Sequence, residues 1–263
     1  MKRRQLLGYV GMSAAAGLCT SLTAERSLGQ AALQSGGVSV RSLGHMSFLL
    51  TGSGQRILVN PFKPMGCTAG YPAPKVSTDL VLISSQLLDE GAVDLVPGNP
   101  QLLYEAGAYD VKGIKFQGIA IDHDRNGGRR FGTNVAWRWT QGGVTMLHLG
   151  GAAAAIALEQ KILMGSPDVV FIPVGGGPKA YSAEEAKAAI KVLNPKLVIP
   201  MQYKTGAAKG ECELNNVDAF ISLMSGVEPA PTKPLTSTVG KTTPSACIAS
   251  KTTKPRNPST PYL

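Results

Sequence analysis

The chain has 263 residues, enough for one large α/β domain with appendages. Its formal net charge of +9 is concentrated at the two ends: Lys2, Arg3 and Arg4 stand at the start, and Lys and Arg outnumber acids after Val227. Because nucleic-acid binding needs basic charge clustered on a folded face, this distribution argues against a nucleic-acid-binding protein.

The first 30 residues have the order of an export signal. The basic run Lys2-Arg3-Arg4-Gln5-Leu6-Leu7 precedes an uncharged stretch from Gly8 to Ala24, with small residues at Ala24 and Ala31 where cleavage is expected. The adjacent arginines are similar to a twin-arginine signal. Residues 1–30 are therefore predicted to be a signal peptide and linker. The predicted location is the periplasm, or the thylakoid lumen if the source is photosynthetic. A membrane anchor is the alternative, but the run is short and rich in Gly and Ser.

Alternating or wholly apolar runs predict strands over the next hundred residues. Turns rich in Gly separate them, and residues 101–121 hold further short strands. Val135, Trp137 and Trp139 are expected on one buried strand face. The main predicted strands are Val38 to Leu43, Ser47 to Leu50, Arg56 to Val59, Leu80 to Ile83, Thr133 to Thr140 and Val144 to Leu147.

Helices and strands alternate in the second half. Ala152 to Met164 has the composition of a helix, Val169 to Pro173 that of a buried strand, and Lys196 to Ile199 that of another strand. Between these strands, Ser182 and Glu185 form a capping-box signal for a helix through residue 193. Hairpins followed by this alternation predict two sheets sandwiched between helices.

The last segment differs in composition from the rest. From Val227 onward, Pro, Thr, Ser and Lys dominate and apolar periodicity is lost. Such a segment buries too little apolar surface to offset its ordering entropy. The sequence therefore predicts a folded domain over residues 38–226 and a disordered or weakly docked basic tail over residues 227–263.

Cysteine usage leaves two interpretations open. Cys19 would leave with the signal, so Cys67, Cys212 and Cys247 remain. In an oxidising compartment one disulfide can form, and Cys67 with Cys212 is the favoured pair because both lie in loop-like segments. Free or buried thiols are the equal alternative.

Six short blocks occur in a recognisable order between residues 38 and 203. They are Gly44-His45-Met46-Ser47-Phe48 with Arg56 to Phe62, Asp79 to Ser84, His123-Asp124 with Gly127-Gly128 and Gly132-Thr133-Asn134, His148-Leu149-Gly150, Ile172 to Gly177, and Ile199 to Tyr203. This order resembles the lactonase-like, Zn-dependent hydrolase branch of the metallo-β-lactamase superfamily. The resemblance implies an α/β fold, the metallo-β-lactamase-like αββα sandwich.

The resemblance also implies where metal ligands would lie. Active members bind two metals through a His-x-His-x-Asp-His loop and a later His, Asp and His, since imidazole and carboxylate suit zinc. Only the acid of the loop and the later histidine are kept here, as Asp89 and His123. The seven implied ligand positions read Ser85, Leu87, Asp89, Glu90, His123, Gly151 and Gln202.

These changes predict that no binuclear zinc site forms. One imidazole does not hold the first ion, and Leu87 places carbon where a ligand is needed. The oxygens of Asp89, Glu90 and Gln202 leave a single hard divalent cation open, although Gly151 cannot bridge. No cofactor is therefore expected, with one divalent cation as the remaining option.

Two hypotheses for function follow. The favoured one is a non-catalytic pseudo-hydrolase that serves as a binding or assembly factor, with a protein partner or a membrane-associated complex and no nucleic acid. The alternative is a hydrolase of an ester- or lactone-like substrate with a rebuilt site, with or without a metal. That site would use Asp89, Glu90, His123 and Gln202.

Individual candidates carry their own expectations. His123 and Asp89 are the catalytic candidates, with His123 as a general base oriented by Asp89 or Asp124. The favoured reading of His123 is instead a relic, hydrogen-bonded in the old cleft. Asp89 and Glu90 are adjacent, so their side chains are expected to point in different directions.

The remaining polar candidates are expected to be structural. His45 and His148 read as turn or core histidines, and Gly175 to Gly177 as a tight loop that could also cradle an anion. Ser84 and Ser85 lack the elbow and the placed base that a nucleophilic serine needs.

Overall fold

The computed structural model describes residues 37–224 and 246–247. The predicted signal peptide and nearly all of the predicted tail lie outside these residues, so both stay predictions. Among the described residues, no helix combines the length and the apolar character needed to cross a membrane.

The first sheet has five strands in chain order. A turn at His45 links the first two strands, which are antiparallel, and a second hairpin leads into the third. The fourth and fifth strands then run parallel to the third. The strands are β1 (Ser39–Gly44), β2 (Ser47–Gly52), β3 (Gln55–Val59), β4 (Leu80–Leu82) and β5 (Gln101–Leu103).

The second sheet has seven strands among the described residues: β6 (Gly107–Val111), β7 (Ile114–Asp122), β8 (Thr133–Gln141), β9 (Val144–His148), β10 (Val169–Pro173), β11 (Leu197–Met201) and β12 (Ala246–Cys247). Their order across the sheet is β12-β11-β10-β9-β8-β7-β6. The strands from β6 to β9 form an antiparallel meander, and those from β9 to β12 are parallel to one another. The two residues of β12 belong to the predicted tail and form the edge of the sheet beside β11.

Among residues 37–224, three α-helices accompany the second sheet: α1 (Leu158–Met164), α2 (Ala183–Leu193) and α3 (Asp218–Leu223). The predicted helix from Ala152 is wrong over its first turns, since α1 begins at Leu158. The carbonyl of Ala154 accepts a hydrogen bond from Tyr181 Oη at 2.7 Å, so a tertiary contact overrides the helical propensity of the alanines. The capping box predicted for α2 is confirmed.

Two principal apolar layers hold the fold together. Between the sheets lie Trp137 and Trp139, both essentially inaccessible to solvent, as the strand alternation predicted. On the outer face of the second sheet, the helices bury a separate cluster that includes Met164, Ile190 and Leu193. The predicted two-sheet sandwich of the metallo-β-lactamase type is therefore confirmed.

The outer face of the first sheet is covered differently. Leu58, Val81 and Ile83 pack there against loop residues and a short 3₁₀ turn at Val93–Leu95. Within residues 37–224, the α-helical layer thus lies on the second sheet.

A disulfide joins Cys67 to Cys212, as the favoured pairing predicted. Cys67 lies in a 3₁₀ turn (Gly66–Thr68) after β3, and Cys212 lies after β11. The bridge therefore ties a connection of one sheet to a connection of the other.

Candidate functional site

The carboxyl ends of strands from both sheets meet at one edge of the sandwich. β3 and β4 are parallel, and β7, β9, β10 and β11 share one direction in the second sheet. Backbone hydrogen bonds join the sheets there, from Val135 N to Ser84 O at 2.8 Å and from Gln202 N to His45 O at 3.2 Å. The residues that follow these strand ends are Asn60, Ser84, His123, Gly150, Gly151, Gly175 and Gln202.

An ammonium group lies at the centre of this edge. Lys179 Nζ is 2.6 Å from Asp89 Oδ2 and 3.2 Å from Glu90 Oε1. The Lys179 side chain is only 13% exposed and that of Glu90 is fully buried. With little water around them these charges attract each other more strongly than surface ion pairs do, and that attraction offsets the cost of burying them. The expectation that Asp89 and Glu90 point apart is wrong, because both carboxylates reach the same ammonium.

Glu90 continues the cluster into the interior. Its Oε1 lies 3.1 Å from His123 Nε2, and both side chains are inaccessible to solvent. That contact is short, although no ring nitrogen of His123 has a well-directed hydrogen bond among the described residues. Ser84 donates its hydroxyl hydrogen to Glu90 Oε2 at 2.7 Å, and Asn60 Nδ2 donates to Ser84 Oγ at 2.7 Å. We call Asp89, Glu90, His123 and Lys179 the charge cluster.

The charges of the cluster decide which form each group takes. Burial alone would raise the pKa of Glu90, but His123, Lys179 and the Ser84 hydroxyl together outweigh it and lower that pKa. Burial alone would lower the pKa of Lys179, but the charges of Glu90 and Asp89 outweigh it and raise that pKa. Glu90 is therefore an anion and Lys179 a cation at neutral pH.

His123 has a different partner from the two predicted. Glu90, rather than Asp89 or Asp124, contacts its ring. Asp124 instead accepts hydrogen bonds from the backbone N–H groups of Asn126, Arg130 and Phe131, all at 2.8 to 2.9 Å. Orienting His123 from Asp124 is thus a wrong prediction, since that carboxylate is used to close the β7–β8 loop.

The other implied ligand positions surround the cluster without joining it. Ser85 and Leu87 line a neighbouring cavity. Gly151 has no side chain and packs against the cluster so closely that a Cβ there would lie 2.4 Å from His123 Nε2. Gln202 is buried in a left-handed backbone conformation, and its Oε1 has no hydrogen-bond partner among the described residues.

His45 and His148 are core residues, as expected. His148 Nε2 lies 3.0 Å from Met46 O, and its ring packs against Phe48 and Phe171. His45 occupies the β1–β2 turn with φ of 55° and is almost fully buried.

Sequence reasoning missed Lys179. It follows the Gly175-Gly176-Gly177-Pro178 loop, which leaves the buried strand β10 at the same edge as His123. Its position in the loop that follows the carboxyl end of a buried strand was the signal in the sequence that could have identified it.

A cavity of about 480 Å³ opens beside the charge cluster. Ser84, whose hydroxyl binds Glu90, forms part of its wall. Phe131 forms another part, and its ring centre lies 5.6 Å from Lys179 Nζ. The rest of the wall is half apolar or aromatic, from Leu87, Tyr104, Ala106 and Val135, and half polar, from Ser85, Gln86, Glu105 and Thr133. The volume and lining suit a small organic molecule with an apolar part.

The residues at this edge do not fit a pair of metal ions. Leu87 and Gly151 offer no donor atom, and the two carboxylates already surround the Lys179 ammonium. In the part of the chain that the structure describes, no three His, Cys, Asp or Glu side chains are arranged to hold a metal ion. Zinc sites need three or more converging protein ligands. The side chains of the charge cluster are thus the groups at this edge that can take part in a reaction.

Comparison with known proteins shows the family of the fold. The model of the β-lactamase superfamily domain matches residues 39–202. A metal-dependent hydrolase of Methanoculleus marisnigri is 30% identical over 186 residues, which cover 62% of this chain and 80% of that protein. A metal-dependent hydrolase of Thermococcus onnurineus is 29% identical over 197 residues, covering 64% of this chain and 85% of the relative.

Solved structures agree. A protein of Thermotoga maritima, described as a Zn-dependent hydrolase of the metallo-β-lactamase superfamily, has a TM-score of 0.63 at 28% identity and covers 80% of this chain and 98% of its own. An isothiocyanate hydrolase from Delia radicum gut bacteria has a TM-score of 0.57, covering 75% of this chain and 98% of its own; at 15% identity it shows the fold alone.

These relatives overturn the favoured functional hypothesis. The prediction of a non-catalytic binding or assembly factor is wrong, because the matching proteins are named as hydrolases. The prediction gave the lost metal ligands too much weight and missed the buried ion pairs that occupy their region.

Proposed function

This chain belongs to the metallo-β-lactamase superfamily, and from that premise we propose that it is a hydrolase of ester- or lactone-like substrates with a rebuilt site. The observation that carries the proposal is the charge cluster at the edge where the strands of both sheets end, which Ser84 and Phe131 connect to the wall of a cavity. Names of relatives support the reaction class. The lining of the cavity supports a substrate with an apolar acyl or ring portion.

The exposed member of the cluster is suited to activate water. The Asp89 side chain is 31% exposed, whereas those of Glu90 and His123 are fully buried. Asp89 accepts a proton from a water molecule as the water oxygen attacks the substrate carbonyl carbon. The carbon–oxygen bond of the ester or lactone then breaks, and the departing oxygen takes the proton back from Asp89.

Lys179 supplies the positive charge that this reaction needs. As the water oxygen attacks, negative charge develops on the carbonyl oxygen, and a preorganised, largely buried ammonium stabilises it. Glu90 and His123 do not meet the substrate in this mechanism. They hold Lys179 in place from the buried side through the 3.2 Å and 3.1 Å contacts.

Steady-state hydrolysis of chromogenic esters and lactones tests the proposal. Asp89→Asn is expected to lower kcat roughly 10²- to 10⁴-fold because it removes the proton acceptor. Lys179→Met is expected to lower kcat roughly 10²- to 10³-fold because it removes the charge opposite the developing oxyanion. Circular dichroism of each variant checks that the fold is kept.

Two matched controls lie elsewhere on the surface. Asp94 is an exposed carboxylate five residues from Asp89, and Lys112 is an exposed lysine 3.9 Å from Asp79. Asp94→Asn and Lys112→Met should leave kcat unchanged. Wild-type protein without hydrolysis above the buffer rate, or folded cluster variants as active as these controls, would refute the proposal.

A further inference from the structure

The Lys179 ammonium has surroundings that resemble those of a bound cation. It lies within 3.2 Å of one oxygen from each of two adjacent carboxylates, and the nearer contact is 2.6 Å. Asp89 and Glu90 stand at two of the positions that the superfamily resemblance assigns to metal ligands. Glu90 in turn contacts His123, which stands at a third such position.

Two further residues show that the space around the cluster has closed. A Cβ built on Gly151 would lie 2.4 Å from His123 Nε2 and 3.1 Å from Glu90 Oε2. An aspartate, the residue expected there in metal-binding members, would therefore collide with the contact between Glu90 and His123. Leu87 is half-buried beside the same cavity and presents carbon.

We propose that the Lys179 ammonium stands in place of a metal ion, so that the protein takes up no divalent cation at this site. The inference rests on the proposed function, since it identifies the cation of the same site. The charge balance supports it: two carboxylates next to each other need a nearby positive charge once they leave water.

Metal binding and thermal unfolding test this without any substrate. Purified wild-type protein and Lys179→Ala are dialysed against Zn²⁺ and then against metal-free buffer. Retained metal is measured by elemental analysis, and Tm is measured with Zn²⁺ and with EDTA. Wild type should retain far less than one equivalent and show the same Tm in both. Lys179→Ala in EDTA should have a Tm lower by roughly 10 °C, from an uncompensated buried charge.

Lys196→Ala is the matched control. Lys196 also pairs with a carboxylate, Asp168 at 2.6 Å, but its side chain is 43% exposed. Its removal should change neither retained metal nor the response to EDTA. Stoichiometric Zn²⁺ on wild type, or a folded Lys179→Ala protein as stable as Lys196→Ala, would overturn the inference.

A second pair of variants covers the case in which Lys179→Ala does not accumulate as folded protein. Lys179→Met/Glu90→Gln removes one carboxylate together with the ammonium, so it should be more stable than Lys179→Met alone. A double variant no more stable than Lys179→Met would contradict the charge balance. Because no step measures hydrolysis, wild type that binds metal and hydrolyses esters refutes this inference alone. Metal-free wild type without activity refutes the proposed function alone.

Discussion

His148 and His45 make the interior of this protein sensitive to acid. Burial lowers the pKa of each to about 4, from an ordinary value of 6.5. For His148, the hydrogen bond to Met46 O opposes this effect without cancelling it. Gly150 N donates to its Nδ1 at 3.2 Å, so the ring is neutral with its hydrogen on Nε2.

The resulting pH dependence has a definite sign. Below pH 6.5 the unfolded chain binds a proton at each of these histidines, whereas the folded protein binds it only near pH 4. The contribution of these two histidines to the free energy of unfolding should therefore be constant above pH 7 and fall between pH 6.5 and 4. Each histidine accounts for roughly 3 kcal/mol of that loss. The lowered pKa of Glu90 extends it to lower pH, since its stabilisation disappears as the carboxylate is protonated.

Urea unfolding from pH 4 to pH 8 measures this dependence. His148→Gln and His45→Gln should each abolish proton uptake at one histidine. The free energy of unfolding should therefore fall less steeply between pH 6.5 and 4 in each variant. The control is Asp94→Asn, an exposed substitution that should leave the curve unchanged. Identical curves for wild type and both histidine variants would contradict the assignment.

Single residues were the least predictable level from sequence. Asp89 and His123 were identified as candidates because the resemblance assigned them positions, but their contacts were not. Lys179 contacts Asp89 across 90 positions of the sequence. No local pattern predicts which lysine of the chain will reach a given carboxylate. Glu90 was misjudged for a similar reason, because a turn places it and Asp89 on the same ammonium.

At the level of elements, the loop from β10 to α2 determines where Lys179 lies. Arg125, on the β7–β8 loop, donates to the carbonyls of Gly177 at 2.7 Å and Ala180 at 2.9 Å, on either side of Lys179. Its Nε also donates to Glu185 in the first turn of α2 at 2.7 Å. One guanidinium therefore fixes the loop to the helix that follows it.

Arg125→Met should release this loop while leaving the charge cluster chemically intact. If Lys179 acts on the substrate as proposed, kcat should fall about tenfold or more through misplacement of its ammonium. KM should change little, since Arg125 does not line the cavity. Arg125→Lys cannot make the forked contacts and should recover only part of kcat. The exposed Arg129→Met on the same loop is the control. Loss of stability with unchanged kcat would show that Arg125 is merely structural.

Elements were predictable where their signals are local. The bounds of β10 and α2 follow from an apolar run and a capping box, each contained in a few residues. The segment from Ala152 to Ala157 was not, because Tyr181 binds its backbone from a distant element. The seven-stranded sheet also gained an edge from Ala246–Cys247, within a segment whose composition predicted no such pairing.

For the whole molecule, the order of the strands was enough to predict the sandwich. The family resemblance identified that sandwich as the αββα type, which hydrophobic periodicity alone leaves open. Export to an oxidising compartment stays a prediction, since the signal segment lies outside the described residues. The disulfide is compatible with it, because such bonds persist in oxidising environments.

The disulfide between Cys67 and Cys212 gives a test at the scale of the whole fold. It closes a segment of 145 residues, which contains β4 and β5 of the first sheet, β6 to β11 of the second and the entire charge cluster. In the chain-entropy account, a loop of that length stabilises the folded state by up to about 5 kcal/mol. The two loops also meet without the bridge: Gly70 N donates to Ala207 O at 2.7 Å, and Tyr71 Oη lies 2.6 Å from Thr205 Oγ1.

Cys67→Ala/Cys212→Ala should therefore lower the free energy of unfolding by roughly 2 to 5 kcal/mol and still fold, because the loop contacts remain. Urea denaturation of oxidised wild type, reduced wild type and the double variant measures the effect, and the last two should agree closely. Close agreement would assign the loss to the chain constraint rather than to packing of the alanines. A double variant as stable as oxidised wild type would contradict the chain-entropy account of this bridge.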